Sequence, residues 1–150
     1  MNLPFSLSNP VIPDSKGAVQ FLGHVHPAGP VHLVAIYESA RVEARTFMLD
    51  DLTELHEWID SRQGLANLYW HANELQPGVS HVKAKKSDVL CGLYVHADID
   101  DTNAFERIAA LSPPPTFVIF SGGGFQVFYR LSEPCLDLDQ LERCNAALAK

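Results

Sequence analysis

The sequence predicts an α+β fold in which helices pack on a mostly antiparallel sheet. Two observations favour this class. Segments with apolar residues at helical spacing alternate with segments rich in β-branched and aromatic residues, and short turns join neighbouring strands. Hydrophobic residues make up 47% and charged residues 19% of the 150 residues, which is typical of a globular domain with a core of ordinary size.

The N-terminal half, residues 1–88, is predicted to follow the order αββαβ. A Pro- and Ser-rich arm at 4–13 comes first. The predicted elements are a helix at about 14–24, a hairpin of strands at 31–38 and 41–49, a helix capped by Asp50 or Asp51 that reaches about 62, and an aromatic-rich strand at 65–74. The basic cluster His81-Val82-Lys83-Ala84-Lys85-Lys86 follows.

The C-terminal half, residues 89–150, is predicted to follow the order βαββα. Its elements are a strand at 90–99, a helix at 103–111 capped by Asp101 or Thr102, strands at 116–120 and 125–131, and a helix that begins near Asp137. In that last helix Leu138, Leu141, Cys144, Ala147 and Leu148 mark the predicted apolar stripe. This order is that of an RNA-recognition-type (RRM-like) βαββαβ unit without its last strand. Since no Gly, Asn or Pro closes the last helix before Lys150, we expect a catalytic half truncated before that strand.

Composition excludes several classes of protein. The sequence has neither an apolar run of about 18 residues nor a signal peptide, so we expect a cytoplasmic protein without a membrane partner. The three cysteines fit neither a disulfide framework nor a zinc site and are predicted to be buried thiols. A formal charge of -7 argues against a broad nucleic-acid footprint.

Two carboxylates at the end of the 90–99 strand are the first candidate site. Alternation along an extended strand puts His96, Asp98 and Asp100 on one face, with the Cα atoms of the two aspartates about 6.6 Å apart. Carboxylates this close can share hard divalent cations, and His96 is a candidate for orienting the groups that hold them. The simpler alternative is that these aspartates are only the polar end of a strand, with Asp101 capping the next helix.

A glycine-rich loop is the second candidate site. Ser121, Gly122, Gly123 and Gly124 separate two strands, and three glycines exceed what a tight turn requires. Such a loop allows backbone N–H groups to approach phosphate, and Ser121 and Gln126 add side-chain hydrogen bonds. A flexible hairpin tip is the alternative.

Taken in order, VHADID, a helix and TFVIFSGGGFQVFYRLSEP resemble the catalytic core of the archaeo-eukaryotic primase superfamily, in particular the RepB-like primase-polymerase domain of plasmids and phages. The resemblance covers about Leu49 to the end of the chain and implies that Asp98 and Asp100 are catalytic metal ligands. It also implies that Ser121 to Gln126 contact the incoming nucleotide. Gln126 stands where many members carry histidine.

The resemblance implies a DNA primase or polymerase that transfers nucleotides from NTP or dNTP to a 3′-hydroxyl with two Mg²⁺ or Mn²⁺ ions. The implied partners are a DNA template and primer and a helicase domain in the same full-length chain, as in plasmid or phage replication. The family's third carboxylate belongs to the strand after the last helix. Whether the 150-residue chain is active by itself therefore stays open.

The remaining candidate residues are basic. Lys86 directly precedes the strand that carries the aspartates and is predicted to bind nucleotide. Lys83, Lys85 and Arg130 are candidates for nucleic-acid binding, with a solvated surface as the alternative.

Two other functions fit the same motifs. One is a non-catalytic module of a replication initiator that binds single-stranded nucleic acid or a nucleotide. The other is a sugar-nucleotide glycosyltransferase of the D-x-D type, although the long nucleotide-binding units expected before such a motif are not visible in the sequence.

Overall fold

A computed structural model describes residues 12–149, which divide into two compact units. Within this range the first unit runs to Trp70 and includes Ser80–Lys83, whereas the second contains His71–Val79 and everything from Ala84 onward. The sequence placed the boundary at residue 88. Asn73 instead belongs to the second unit, since its side-chain oxygen accepts hydrogen bonds from the backbone N–H groups of Leu93 (2.8 Å) and Tyr94 (3.2 Å). Residues 4–11 of the predicted N-terminal arm lie outside the described residues.

The first unit is a three-stranded antiparallel sheet with two helices. Its elements are α1 (Ser15–Val25), β1 (Val31–Tyr37), β2 (Val42–Phe47), α2 (Leu52–Asp60) and β3 (Ala66–Trp70). The strand order is β2-β1-β3, so the predicted hairpin of β1 and β2 is confirmed.

Both helices of the first unit begin where the sequence predicted. The Asp14 side chain accepts a hydrogen bond from the Gly17 N–H, and Asp51 accepts two at the start of α2, which satisfies amides that have no partner inside the helix. The apolar faces of α1 and α2 pack on one face of the sheet. The buried core of this unit comprises Val19, Leu22, Val31, Leu33, Ala35, Phe47, Leu55, Trp58 and Ile59.

The second unit is a four-stranded antiparallel sheet with two helices. Its elements are β4 (Glu74–Leu75), a 3-10 turn (Lys86–Asp88), β5 (Val89–Ile99), α3 (Phe105–Ala109), β6 (Phe117–Phe120), β7 (Phe125–Cys135) and α4 (Leu138–Leu148). The strand order is β4-β5-β7-β6. The helix α4 begins next to Asp137, as the sequence predicted, and Asp137 caps it by accepting a hydrogen bond from the Gln140 N–H.

Over the described residues, an α+β fold with antiparallel sheets and four helices is therefore confirmed. None of the helices formed by residues 12–149 combines the length and apolar character needed to cross a membrane.

Two local predictions were wrong. The single strand at 65–74 is two strands, β3 and β4, because His71 to Asn73 leave the extended path and the His71 ring contacts the Asn73 carbonyl oxygen at 2.8 Å. Neither Asp101 nor Thr102 caps α3, whose N-cap is Ala104. The Asp101 carboxylate instead accepts a hydrogen bond from the Asn103 N–H and pairs with Arg107.

The predicted apolar stripe of the last helix and the predicted burial of the thiols hold only in part. On α4 only Leu141 is buried, and Cys144 and Ala147 are exposed. Among the cysteines only Cys91 is buried, and burial together with the nearby Glu74 carboxylate raises the pKa of its thiol to about 11.

The α2 helix offers a matched test of the first core. Leu55 is completely buried, whereas Leu52 on the same helix is 48% exposed. We expect Leu55→Ala to lower the free energy of unfolding by about 2–5 kcal/mol, because the cavity adds to the lost burial. Leu52→Ala should change it by less than about 0.5 kcal/mol. Both tryptophans of the chain, Trp58 and Trp70, belong to the first unit, so tryptophan fluorescence in urea follows this transition. Equal effects of the two variants would contradict the assigned core.

Candidate functional site

The β5–β7–β6 ladder decides which side chains share a face of the second sheet. Cross-strand partners point to the same side, so the register defines rows across the sheet. We call one side the carboxylate face. From the loop end inward, its rows are Asp98–Gln126–Ile119, His96–Phe128–Phe117 and Tyr94–Arg130.

The opposite face of this sheet is the helix-covered core. Its buried residues are Ala97, Ala104, Ile108, Phe125 and Val127, with Leu148 of α4 packed against them. Because these residues are packed under the helices, the carboxylate face points away from the helices.

Aromatic rings fill the middle of the carboxylate face. Phe117 stacks on Phe128 with ring centroids 4.7 Å apart, and Tyr94 contacts both rings edge to face. Tyr94 is 1% and Phe128 3% exposed, so these two rings are not available as a platform for nucleobases. The Arg130 guanidinium lies within 3.3 Å of the Tyr94 hydroxyl, and the Arg130 side chain is otherwise exposed.

The polar end of the carboxylate face holds the predicted aspartates. Asp98 is exposed and lies directly opposite Gln126. Strand β5 ends at Ile99, and the Asp101 N–H donates to the Ile99 carbonyl oxygen (2.9 Å), so Asp100 occupies a turn rather than the strand. Alternation therefore fixes the face of Asp98 but not that of Asp100.

The glycine loop lies against the end of β5. A Cβ atom on Gly124 would overlap the Ile99 carbonyl oxygen and lie 3.1 Å from the Asp100 Cα atom. Only glycine permits this approach, so the loop and the segment that carries both aspartates are in direct backbone contact. The two sequence motifs are therefore neighbours in the structure.

The structure requires glycine at two of the three positions in this loop, and the reason differs between them. Gly122 has a φ of +91°, which side chains rarely tolerate, and Gly124 must make room for Ile99. A Cβ atom on Gly123 would meet no other atom within 4 Å, so sterics do not require glycine there. The loop closes through the Ser121 N–H and hydroxyl, which both donate to the Gly124 carbonyl oxygen (2.9 and 3.2 Å). Neither the Gly122 nor the Gly123 amide donates to another residue in the 12–149 range.

His96 lies beside Asp98 on the same face. Its ring stacks on Phe128 with centroids 5.4 Å apart and an interplanar angle of 18°. Burial lowers the pKa of His96, and the Asp98 carboxylate opposes this effect. Burial likewise lowers the pKa of His71. The nearby His96 ring also lowers this pKa, by a smaller amount.

The structure separates Lys86 from the aspartates. Lys86 lies before the first residue of β5, Asp98 lies near its last residue, and an 11-residue strand spans roughly 33 Å. The Lys86 ammonium instead pairs with Asp139 (2.7 Å) and Glu142 (2.8 Å) of α4, and these hydrogen bonds raise its pKa. Lys83 and Lys85 are exposed loop residues.

The side chains near the glycine loop offer few donor atoms for a metal ion. In the part of the chain that the structure describes, no group of three or more His, Cys, Asp or Glu side chains is arranged to hold a metal ion. Asp98 and Asp100 are two exposed hard oxygen donors. That set fits Mg²⁺, which proteins often hold through one or two carboxylates, with substrate phosphates and water completing its ligands.

Sequence reasoning missed two asparagines that cover the outer edge of β5. Asn73 bonds the N–H groups of Leu93 and Tyr94, and the Asn145 side-chain oxygen accepts from the His96 N–H at 2.9 Å. Both side chains take the place of strand carbonyls along the part of β5 that extends beyond its pairing with β4. No local sequence signal marks such a role, because the partners are 20 to 49 residues apart.

The loop contact gives a second matched test. We expect Gly124→Ala to lower the free energy of unfolding by about 1–3 kcal/mol, because the backbone of β5 must move to admit a methyl group. Gly123→Ala should be neutral or slightly stabilising, by at most about 1 kcal/mol. Urea unfolding followed by far-UV circular dichroism compares the two. A Gly124→Ala protein as stable as Gly123→Ala would show that the loop does not touch Ile99.

Comparisons of the chain with protein-family models, with curated proteins and with solved structures find no match.

Proposed function

We propose that the second unit is the catalytic part of a metal-dependent nucleotidyltransferase of the primase-polymerase type. The observation that carries the proposal is the backbone contact of Gly124 with Ile99 and Asp100. It brings two carboxylates and a loop with available amides to one end of one sheet. Cations and phosphates are the ligands that such a pair of features attracts.

Each residue of the site has a distinct role in this proposal. Asp98 and Asp100 hold divalent cations, Mg²⁺ or Mn²⁺, through their exposed carboxylates. The amides of Gly122 and Gly123 donate hydrogen bonds to oxygens of the nucleotide triphosphate, and the Gln126 side chain, directly opposite Asp98, adds another donor. When bound, the cations supply charge neutralisation for the triphosphate and lower the pKa of the attacking hydroxyl.

The strand order supports the same proposal. The order β5-β7-β6, with α3 between β5 and β6 and α4 after β7, is compatible with an RRM-like βαββα arrangement. On the side of β5 opposite β7 lie the short β4 and the side chains of Asn73 and Asn145. A cytoplasmic location and DNA template and primer as partners belong to the same proposal.

Lys86 has no part in the proposed site, since its ammonium is held by two carboxylates of α4. Arg130 remains a candidate contact for nucleic acid because it is exposed on the carboxylate face. The buried Tyr94 and Phe128 rings give no support to a module that only stacks nucleobases.

Removal of either carboxylate tests the proposal. We expect Asp98→Asn and Asp100→Asn each to reduce primer extension roughly a hundredfold or more, because metal-borne charge stabilisation is worth several kcal/mol. Affinity for Mn²⁺–dATP, measured by isothermal titration calorimetry, should fall at least about tenfold. Glu106→Gln on α3 removes an exposed carboxylate from the opposite side of the sheet and should change neither quantity.

Three outcomes would contradict the proposal. Primer extension by the Asp98→Ala/Asp100→Ala double variant at the wild-type rate would rule out the assigned ligands. Nucleic-acid binding that needs no metal and survives both substitutions, without nucleotide binding, would favour the binding module. A thermal shift with Mn²⁺ and UDP-sugars, but none with dNTPs, would favour a glycosyltransferase. If the wild-type chain binds Mn²⁺–dATP but extends no primer, the binding data alone decide the role of the aspartates.

A further inference from the structure

Three contacts hold His96 at the polar end of the carboxylate face, two through its backbone and one through its ring. Its backbone is paired with Phe128 of β7, its ring stacks on the Phe128 ring, and its backbone N–H donates to the side-chain oxygen of Asn145 on α4. Two residues further along the strand, Asp98 shares its face. The ring is therefore positioned before any ligand arrives.

The two ring nitrogens of His96 have different surroundings. Nδ1 is fully buried and has no hydrogen-bond partner among residues 12–149. Nε2, in contrast, is not both buried and unpaired. Burying an N–H without an acceptor is costly, and in folded proteins orphaned donors are rarer than under-used acceptors. The neutral ring therefore carries its proton on Nε2 and leaves a bare lone pair on Nδ1.

We propose that His96 is a further substrate-binding residue, whose Nε2–H donates a hydrogen bond to a phosphate oxygen of the nucleotide. This inference rests on the proposed function, because it names the substrate group that the same site would hold. His96 lies diagonally across the ladder from Gln126, and such diagonal neighbours are about 7–8 Å apart. The two side chains can thus contact one polyphosphate from adjacent strands.

The geometry favours phosphate over a nucleobase as the ligand. One face of the imidazole is occupied by Phe128, so the ring offers an edge donor rather than a stacking surface. Phosphate oxygens are acceptors only and match a single N–H donor, as they match the amides of the neighbouring glycine loop.

Three substitutions separate the possible roles of the ring. His96→Gln places an amide N–H near the position of Nε2, His96→Asn places one near Nδ1, and His96→Phe keeps a ring on Phe128 without any donor. We expect His96→Gln to bind Mn²⁺–dATP within about threefold of wild type. His96→Asn and His96→Phe should bind it about ten- to a hundredfold more weakly, the effect of losing one hydrogen bond to a charged group. Mn²⁺–tripolyphosphate should show the same pattern.

The binding data also distinguish this inference from the proposed function. If wild type binds Mn²⁺–dATP and Asp98→Asn does not, but His96→Asn and His96→Phe bind like wild type, the proposed function stands and the role of His96 is wrong. Losses with dATP but not with tripolyphosphate would assign the contact to base or sugar and overturn the phosphate contact. If wild type does not bind Mn²⁺–nucleotide at all, both proposals fail.

A spectroscopic measurement tests the same inference without a ligand. Nitrogen-15 NMR of the 150-residue chain should show His96 with its proton on Nε2, whereas a proton on Nδ1 would overturn the inference even if the variants bind weakly. Far-UV circular dichroism and thermal unfolding of each variant show whether its sheet is intact, and His96→Gln, close in size to the native residue, serves as the folded reference.

Discussion

The antiparallel pairing of β5 with β7 is the interaction on which the second unit depends. This ladder joins Tyr94–Ile99 to Phe125–Arg130 and assigns every side chain in between to one of two faces. A slip of one residue would exchange the faces and put Asp98 into the apolar core. The large loss of burial that such a slip entails is what keeps the carboxylate on the exposed side.

The contact between Gly124 and Ile99 completes this constraint at the loop end. Pairing alone brings Phe125 opposite Ile99, but a residue with a Cβ atom before Phe125 would push the loop away from the strand. The glycine therefore lets the hairpin turn close over the last residue of β5. This contact keeps the loop next to the segment that carries the two carboxylates.

Features of the sequence that act locally could be predicted. Asp51 and Asp137 act on amides two or three residues away, and apolar spacing within a segment reports the buried face of a helix. The alternation that puts Asp98 on one face is local in the same sense. Asp100 differs, because the chain turns immediately after Ile99 and strand alternation no longer applies.

Features that depend on distant partners could not be predicted. Lys86 stands next to the metal strand in sequence, yet its charge is satisfied by Asp139 and Glu142, more than 50 residues away. The division of residues 65–74 between two sheets is likewise a long-range effect, because the Asn73 side chain accepts a hydrogen bond from Leu93 of β5. Neighbours in sequence indicate nothing about which partner an exposed cation selects, because many arrangements have nearly equal free energy.

Because Asp98 and Asp100 are exposed, their charges can serve ligand binding without strongly affecting the stability of the fold. Two like charges near each other destabilise a fold when they are buried, but water and salt screen such repulsion at the surface. The apolar face and the aromatic rows supply the burial that holds the sheet together without contribution from the carboxylates. The second unit can therefore fold without a cation. Weaker binding in the aspartate variants then reports the loss of metal ligands, because the native sheet does not depend on those side chains.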